Sequence, residues 1–496
     1  MFEETKILVE QVAQKEGISL RVYPRPIELP ALSSLLFPVK GERVFYLGAW
    51  SEKADHFLQH PQFFQFKPDK NKYFSLYPFD FANYQLLSQH LPRLRPAPAR
   101  VRSSVGSGDR LGLVSATHLE VFRNYPFFPI IAQQSPRELE KTHRTFEEVL
   151  LSAAWGVLES GFEGQFGADA DHIKDENYLR AGIKSHFTMF TLDGSEVIRP
   201  EGFSLTANQL KAEFDRLSPS QKEIFNRYQG KELHLGGGIT LNFKPETLLP
   251  IVIALFGVIE WVEQMNSILN DELSDFDLEV SLDETEVITS PEAHFLVAEE
   301  LHRRGIDFQS LAPRFPGKFE KGVDYQGDLS ELTQELKAQV AVQQEIEGYR
   351  LSLHSGSDKW TVYPLFAELT GGLFHLKTSG TNWLAALSVL AKLSPSLFRR
   401  AYQIGMDHLE ESLQAYSISF DREELPLDLS STPDDRLPEL MDKRAPRQML
   451  HISYGPILEE MGKELYQFWF EAEKEHYQKV GDNLKRHLEL LTQVAP

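Results

Sequence analysis

Residues 167–174, GADADHIK, combine three small residues, two aspartates and a histidine where a buried strand would carry valine or leucine. Asp171 and His172 are side chains that move protons and hold divalent cations. Two further histidines fall in short strand-like runs, His354 in YRLSLHSGSDK (349–359) and His375 in LFHLKTSG (373–380). A fourth run, DFDLEVSLDE (275–284), alternates Phe276, Leu278, Val280 and Leu282 with Asp277, Glu279, Ser281 and Asp283. A period of two puts the apolar residues on one face and the acids on the other. A polar face inside a fold costs free energy unless it builds a site. Three imidazoles with carboxylates, and no cysteine in the chain, suit one borderline divalent metal such as zinc, nickel, manganese or cobalt. His172, His354 and His375 are the expected ligands, with Glu279 the competing choice for the third. His56, His60, His408 and His487 stand apart from this pattern and are read as structural.

Such residues need a scaffold that gathers strand ends. Eight strand-like runs, at 101–112, 127–135, 166–174, 186–193, 275–284, 307–315, 349–359 and 373–380, alternate with helical stretches. The helices carry start and stop signals: Thr145 and Glu148 fit a capping box, and Ser290-Pro291 opens a helix that Gly305 ends. The alternation predicts an α/β fold, a closed (β/α)8 TIM barrel over 101–400, with its chemistry at the C-terminal ends of the strands. The wide gap at 194–274 predicts a helical insertion after strand 4. Residues 1–100, aromatic- and proline-rich and ending in LPRLRPAPAR, predict an N-terminal α+β region, and 401–496 a C-terminal helical extension. The aromatic cluster at 63–84 is read as core or interface.

The 496 residues are 42% hydrophobic and 25% charged, ordinary for a globular protein. Asp and Glu number 72 against 51 Lys and Arg, a net charge of −21. That field disfavours nucleic acid and anionic membrane, so an anionic substrate needs a local cation. The absence of cysteine excludes disulfides, thiolate nucleophiles and Cys-ligated zinc. MFEETKILVEQVAQKEG reads as an amphipathic helix rather than a signal peptide. LLPIVIALFGVIEWV contains a proline, breaks at Glu260 and is expected to be too short to span a bilayer. GSGDRLG lacks the third glycine of a dinucleotide-binding GxGxxG, so no nicotinamide is expected. The expectation is a cytoplasmic enzyme with a small-molecule substrate, compatible with a homo-oligomer.

The motifs carry two resemblances. GSGDRLG, FPIIAQQS, HRTFEEVLLSAAWGV, QFGADADHIK, FTMFTLD, DFDLEVSLDETE, LSLHSGSDK and GGLFHLKTSGT, in this order between 101 and 385, resemble the tagaturonate epimerase family, hexuronate C4-epimerases that interconvert tagaturonate and fructuronate. Weaker likeness, as at QMLHISYG, continues to the C-terminus. More loosely, DADH and LHSGSD are similar to elements of metal-dependent class II sugar aldolases. That second resemblance implies Asp171 as acid/base, His172 and His354 as metal ligands, and Glu279 as an acidic strand-five residue. It departs at the sixth strand, where the aldolases place a third histidine and this chain has LAPRF, which is why His375 is substituted.

Together the resemblances imply inversion at C4 of a 2-keto hexuronate by retro-aldol cleavage and re-addition, with Asp171 and Glu279 exchanging base and acid roles. The C6 carboxylate would need Arg110, Arg314 or Lys377. Gly108, Asp109, Gln133, Gln134, Ser355 and Thr378 complete the expected substrate-binding set. The alternatives are a class II aldolase, which would release fragments, and a non-catalytic barrel that binds sugar acids.

Overall fold

The computed structural model describes residues 1–52, 57–59, 64–69, 72–285, 287–414, 416 and 418–492. His56, His60 and part of the aromatic cluster at 63–84 lie outside the described residues. Eight parallel strands close a barrel: β1 (Ser104–Gly106), β2 (Phe128–Gln134), β3 (Gly167–Ile173), β4 (Met189–Asp193), β5 (Asp277–Ser281), β6 (Ser310–Ala312), β7 (Arg350–Leu353) and β8 (Phe374–Lys377). Each falls inside one of the eight predicted runs, and neighbours in the chain are neighbours in the barrel. β2 and β3 fill nearly the whole of their runs, whereas the other strands pair over three to five residues.

Register explains which side chains meet. Thr191 of β4 pairs with Glu279 of β5, Glu279 with Ser310 of β6, and Ser310 with Arg350 of β7. Ser352 of β7 then pairs with His375 of β8, and His375 with Ser104 of β1. The polar residues of β5 face the barrel interior, whereas Leu278 and Val280, both without exposed surface, face the surrounding helices. A barrel interior is commonly filled by branched aliphatic side chains; here it is a layer of acids, hydroxyls, imidazoles and cations.

Contacts divide the chain into two compact units, Met1–Ala97 with Ser107–Phe166 and Ser379–Arg486, and Pro98–Gly106 with Gly167–Thr378 and His487–Pro496. In the first, the helix Phe2–Glu16 buries Thr5, Leu8, Val9 and Val12, a helical spacing. The last three pack with Phe37, Val39, Trp50 and Phe74 of an antiparallel sheet. Its second core gathers Trp383, Phe398, Leu450, Ile457 and Trp469 from the C-terminal helices. The position where the barrel was expected to end, residue 400, lies inside the helix Pro395–Asp407.

The second unit holds the insertion, with helices Ala207–Arg216, Pro219–Tyr228 and Pro245–Glu272. It also holds a hairpin that the sequence reading missed, Glu232–His234 with Thr240–Asn242. The last helix corrects a second expectation. It runs 28 residues straight through Glu260, and by length and composition it could cross a membrane. Pro245 opens it, where a missing N–H costs least, whereas Pro250 lies inside it and removes one bond from the helical ladder. Val252, Ala254, Val258, Ile259 and Val262 of this helix are fully buried inside the protein.

Candidate active site

The opening motif folds as two faces. Ala168 and Ala170 of β3 point outward, and their small size lets the helix Glu176–Lys184 lie close: a Cβ on Gly182 would stand 3.1 Å from the Ala170 Cβ. Asp169 and Asp171 point inward. His172 then adopts φ 54, the left-handed region that a non-glycine residue occupies at a cost and that recurs at functional sites. Ser355, following His354, does the same at φ 50. Both kinks sit at the ends of strands that carry an imidazole into the mouth.

Lys377 of β8 is the centre of the cluster. Its Nζ lies 2.6 Å from Asp171 Oδ1, 2.8 Å from Glu279 Oε1 and 3.0 Å from Asp169 Oδ2, and it donates to Thr191 Oγ1. The single Thr191 hydroxyl proton is shared between Asp169 Oδ1 at 2.9 Å and Glu279 Oε1 at 3.2 Å, and Ser310 donates to Glu279 Oε2 at 2.6 Å. Two of the three carboxylates also meet an imidazole. Asp171 Oδ1 is 2.7 Å from His172 Nδ1, and Glu279 Oε1 is 2.6 Å from His354 Nε2. Burial opposes ionisation of Asp171, but His172 and Lys377 hold it well below the usual carboxylate range. Lys377 and His354 do the same for Glu279 against its burial. Although burial works against the charged amine, Asp169, Asp171 and Glu279 hold the Lys377 ammonium well above its ordinary value.

Beside this pair the donor atoms of His172, Asp283 and His354 come within 4.8 Å of one another. Asp283 Oδ1 is 2.8 Å from His354 Nδ1, and the two imidazole rings are 4.9 Å apart. Burial opposes protonation of His354, yet Asp283 and Glu279 lift it to about 10. His172 is raised in the same way by Asp171 and Glu284 against its burial. The pocket therefore favours positive charge between these rings, and two imidazoles with a carboxylate are a fitting donor set for a divalent cation. Asp193 and Glu284 form a second such group with His172, and Lys174 lies 3.3 Å from Asp193 and 3.9 Å from Glu284.

The expected third ligand, His375, is placed elsewhere. It lies fully buried with Nδ1 2.8 Å from Ser104 Oγ, and burial drives its pKa down to about 3. Its Nε2 has no hydrogen-bond partner among the described residues. Asp283 takes the place beside His172 and His354. It continues the polar alternation of β5 noted in the sequence, two residues past Ser281 at the end of the strand, but spacing alone did not single it out from its neighbours. Asp169 and Thr191 were missed because their roles depend on Lys377 reaching across the barrel.

The remaining candidates fall into three kinds. Arg314 donates to the Asp283 carbonyl at 3.4 Å, and its guanidinium is in no ion pair among the described residues. Thr378 closes the strand end by donating its hydroxyl to the Gly106 carbonyl at 2.8 Å. In the other unit, Asp109 accepts backbone N–H groups of Leu111, Leu113 and Val114 and so holds its own loop together. Arg110 pairs with Glu138 at 2.8 Å and lies over the Tyr454 ring. Gly108 is needed for close approach, since a Cβ there would stand 2.3 Å from the Gln133 carbonyl. Gln133 and Gln134 are fully buried, and neither amide has a hydrogen-bond partner among the described residues.

Known proteins match this chain along nearly its whole length. A family model described as tagaturonate epimerase covers residues 29–491. A tagaturonate/fructuronate epimerase of Thermotoga maritima is 41% identical over 412 residues, 82% of this chain and 85% of that protein. Crystal structures of a fructuronate-tagaturonate epimerase from Cohnella laeviribosi, one native and one with glycerol, each match with a TM-score of 0.89 at 32% identity, covering 99% of both chains. A barrel that gathers paired carboxylates and imidazoles at its mouth, matched in sequence and in fold over most of its length, is an enzyme of the tagaturonate epimerase family.

Proposed function

We propose that this protein interconverts D-tagaturonate and D-fructuronate by opening and re-forming the C3–C4 bond. The observation that carries the reading is the pair of buried carboxylates, Asp171 and Glu279, each held by an imidazole and both touching Lys377. In a 2-keto hexuronate the C4 hydrogen is not adjacent to the carbonyl, so direct deprotonation there is poor. The C3–C4 bond is β to the ketone and breaks when the C4 hydroxyl loses its proton. One carboxylate takes that proton. The bond electrons pass to the C2–C3 unit, the aldehyde turns, and the bond re-forms on the aldehyde's other face. The carboxylate pair, which holds the proton taken in the first step, returns it to the C4 oxygen, and the reverse reaction exchanges the roles of its two members.

His172, Asp283 and His354 would hold one divalent cation, zinc, nickel, manganese or cobalt, which when bound supplies a Lewis acid for the C2 oxygen. The C6 carboxylate is read as the partner of Arg314, a guanidinium in no ion pair among the described residues and able to grip a carboxylate with two hydrogen bonds. Arg110 and Lys377 are already paired with acids. Gln133 and Gln134 remain proposed hydroxyl-binding residues on their lack of partners.

The test is metal-reconstituted protein with D-tagaturonate, followed by NMR. The reading expects a mixture of the two ketouronates approached from either side. Accumulating three-carbon fragments would make the protein an aldolase instead, and unchanged substrate would make it a binding barrel.

A further inference from the structure

The reaction above uses Asp171 and Glu279 and leaves the lysine between them unexplained. We infer that Lys377 is a positioning residue, the shared counter-ion that holds the two acid/base carboxylates at the separation the reaction needs. The inference rests on the proposed reaction. Its ground is geometric. Asp171 lies on β3 and Glu279 on β5, with β4 between them, so strand pairing does not set their distance. The Lys377 ammonium touches one oxygen of each, at 2.6 and 2.8 Å. Those same two oxygens meet His172 and His354. The result is one connected chain, imidazole, carboxylate, ammonium, carboxylate, imidazole, with the lysine at its centre.

Lys377 is saturated in this arrangement. An ammonium has three N–H donors, and four oxygens surround this one: three from carboxylates and one from Thr191. None is left for a substrate carboxylate, the role first expected for it. Three buried acids around a single cation repel one another once it is removed, and they must then separate or take up protons. Asp169 already shows the shortage of positive charge, since burial, with Asp171 and Glu279 adding to it, pushes its carboxyl up to about 6. Thr191 lies between Asp169 and Glu279 and accepts from the ammonium as well.

The experiment measures kcat and KM for D-tagaturonate, the inhibition constant of D-galactonate as a non-reacting sugar acid, and metal per chain, in wild type and Lys377→Met. The expected result is a kcat loss of about 10²–10³-fold, with KM and the inhibition constant within about threefold of wild type. Metal content stays unchanged, and Lys377→Arg, which restores the charge with a different reach, recovers part of kcat. If Lys377→Met does not fold, Lys377→Met/Asp169→Asn removes one charge of each sign and is read in the same way. A joint rise of KM and the inhibition constant with kcat retained would assign Lys377 to substrate binding and overturn the inference, as would unaltered kinetics. A wild-type protein inert toward D-tagaturonate defeats the reading of the reaction, is recognised before any variant is made, and removes this inference with it.

Discussion

Exchanging Asp283 for asparagine keeps the shape of the side chain and removes its charge, which makes it a sharp probe of the proposed cation site. The ligand atoms of His172, Asp283 and His354 lie within 4.8 Å of one another. An ion centred among them lies within about 3 Å of the carboxylate, where a unit charge pair is worth about 5.5 kcal/mol at an effective dielectric of about 20. A divalent ion doubles the Coulomb gain, while the desolvation of the carboxylate and the oxygen that asparagine still offers take some of it back. A net loss of about 3 kcal/mol corresponds to roughly a hundredfold weaker binding. The assay is metal per chain by elemental analysis, after dialysis against a graded series of chelator concentrations, for wild type, Asp283→Asn and His375→Gln. Asp283→Asn should lose metal at about a hundredfold lower chelator activity, and His375→Gln should follow wild type. The reasoning is refuted if Asp283→Asn retains metal like wild type while His375→Gln loses it, the outcome that restores His375 as third ligand.

Four further outcomes follow from the same geometry. Asp171→Asn and Glu279→Gln should each cost about 10²–10⁴-fold in kcat in both directions with metal retained, checked by coupled rate and metal measurements. Arg314→Ala should raise KM for the hexuronate and the inhibition constant of a sugar acid together while sparing kcat, which steady-state inhibition kinetics will show. Gly182→Val forces methyl groups into the 3.1 Å gap to Ala170 and Phe190 and should lower stability by about 1–3 kcal/mol, read as a shift in denaturant midpoint. His294 is fully buried between Gln339 and Tyr349, and burial lowers its pKa from 6.5 to about 4. The unfolded chain then binds the proton first, so this stability is present above about pH 6.5 and is lost as pH falls towards 4. His294→Gln should show a shallower acid loss than wild type over that window.

Much of this architecture was written in local pattern. Every barrel strand lies within a predicted run because each combines an apolar outer face with a polar end, and GADADHIK shows both in eight residues. The helices beside them were legible from caps, such as Thr145 with Glu148, which form the reciprocal bonds expected. The hairpin at Glu232–Asn242 was missed because its strands are three residues long, too short for alternation to register. The helix Pro245–Glu272 was cut short because Glu260 looked like a break, whereas an exposed face of a long helix accommodates a charge. In the site, pairs adjacent in sequence were readable, as with Asp171 and His172. Lys377 with Asp169, and His354 with Asp283, meet only through barrel closure. Their partners are 208 and 71 positions away along the chain, and no spacing rule connects them.

The central claim is that C4 is inverted by breaking a carbon–carbon bond rather than the C4–H bond. The kinetic isotope effect of D-tagaturonate deuterated at C4 tests it most directly. The account predicts a rate ratio near one, with the label fully retained in D-fructuronate. A several-fold primary effect would contradict it, because the C4–H bond would then be breaking in the step that sets the rate.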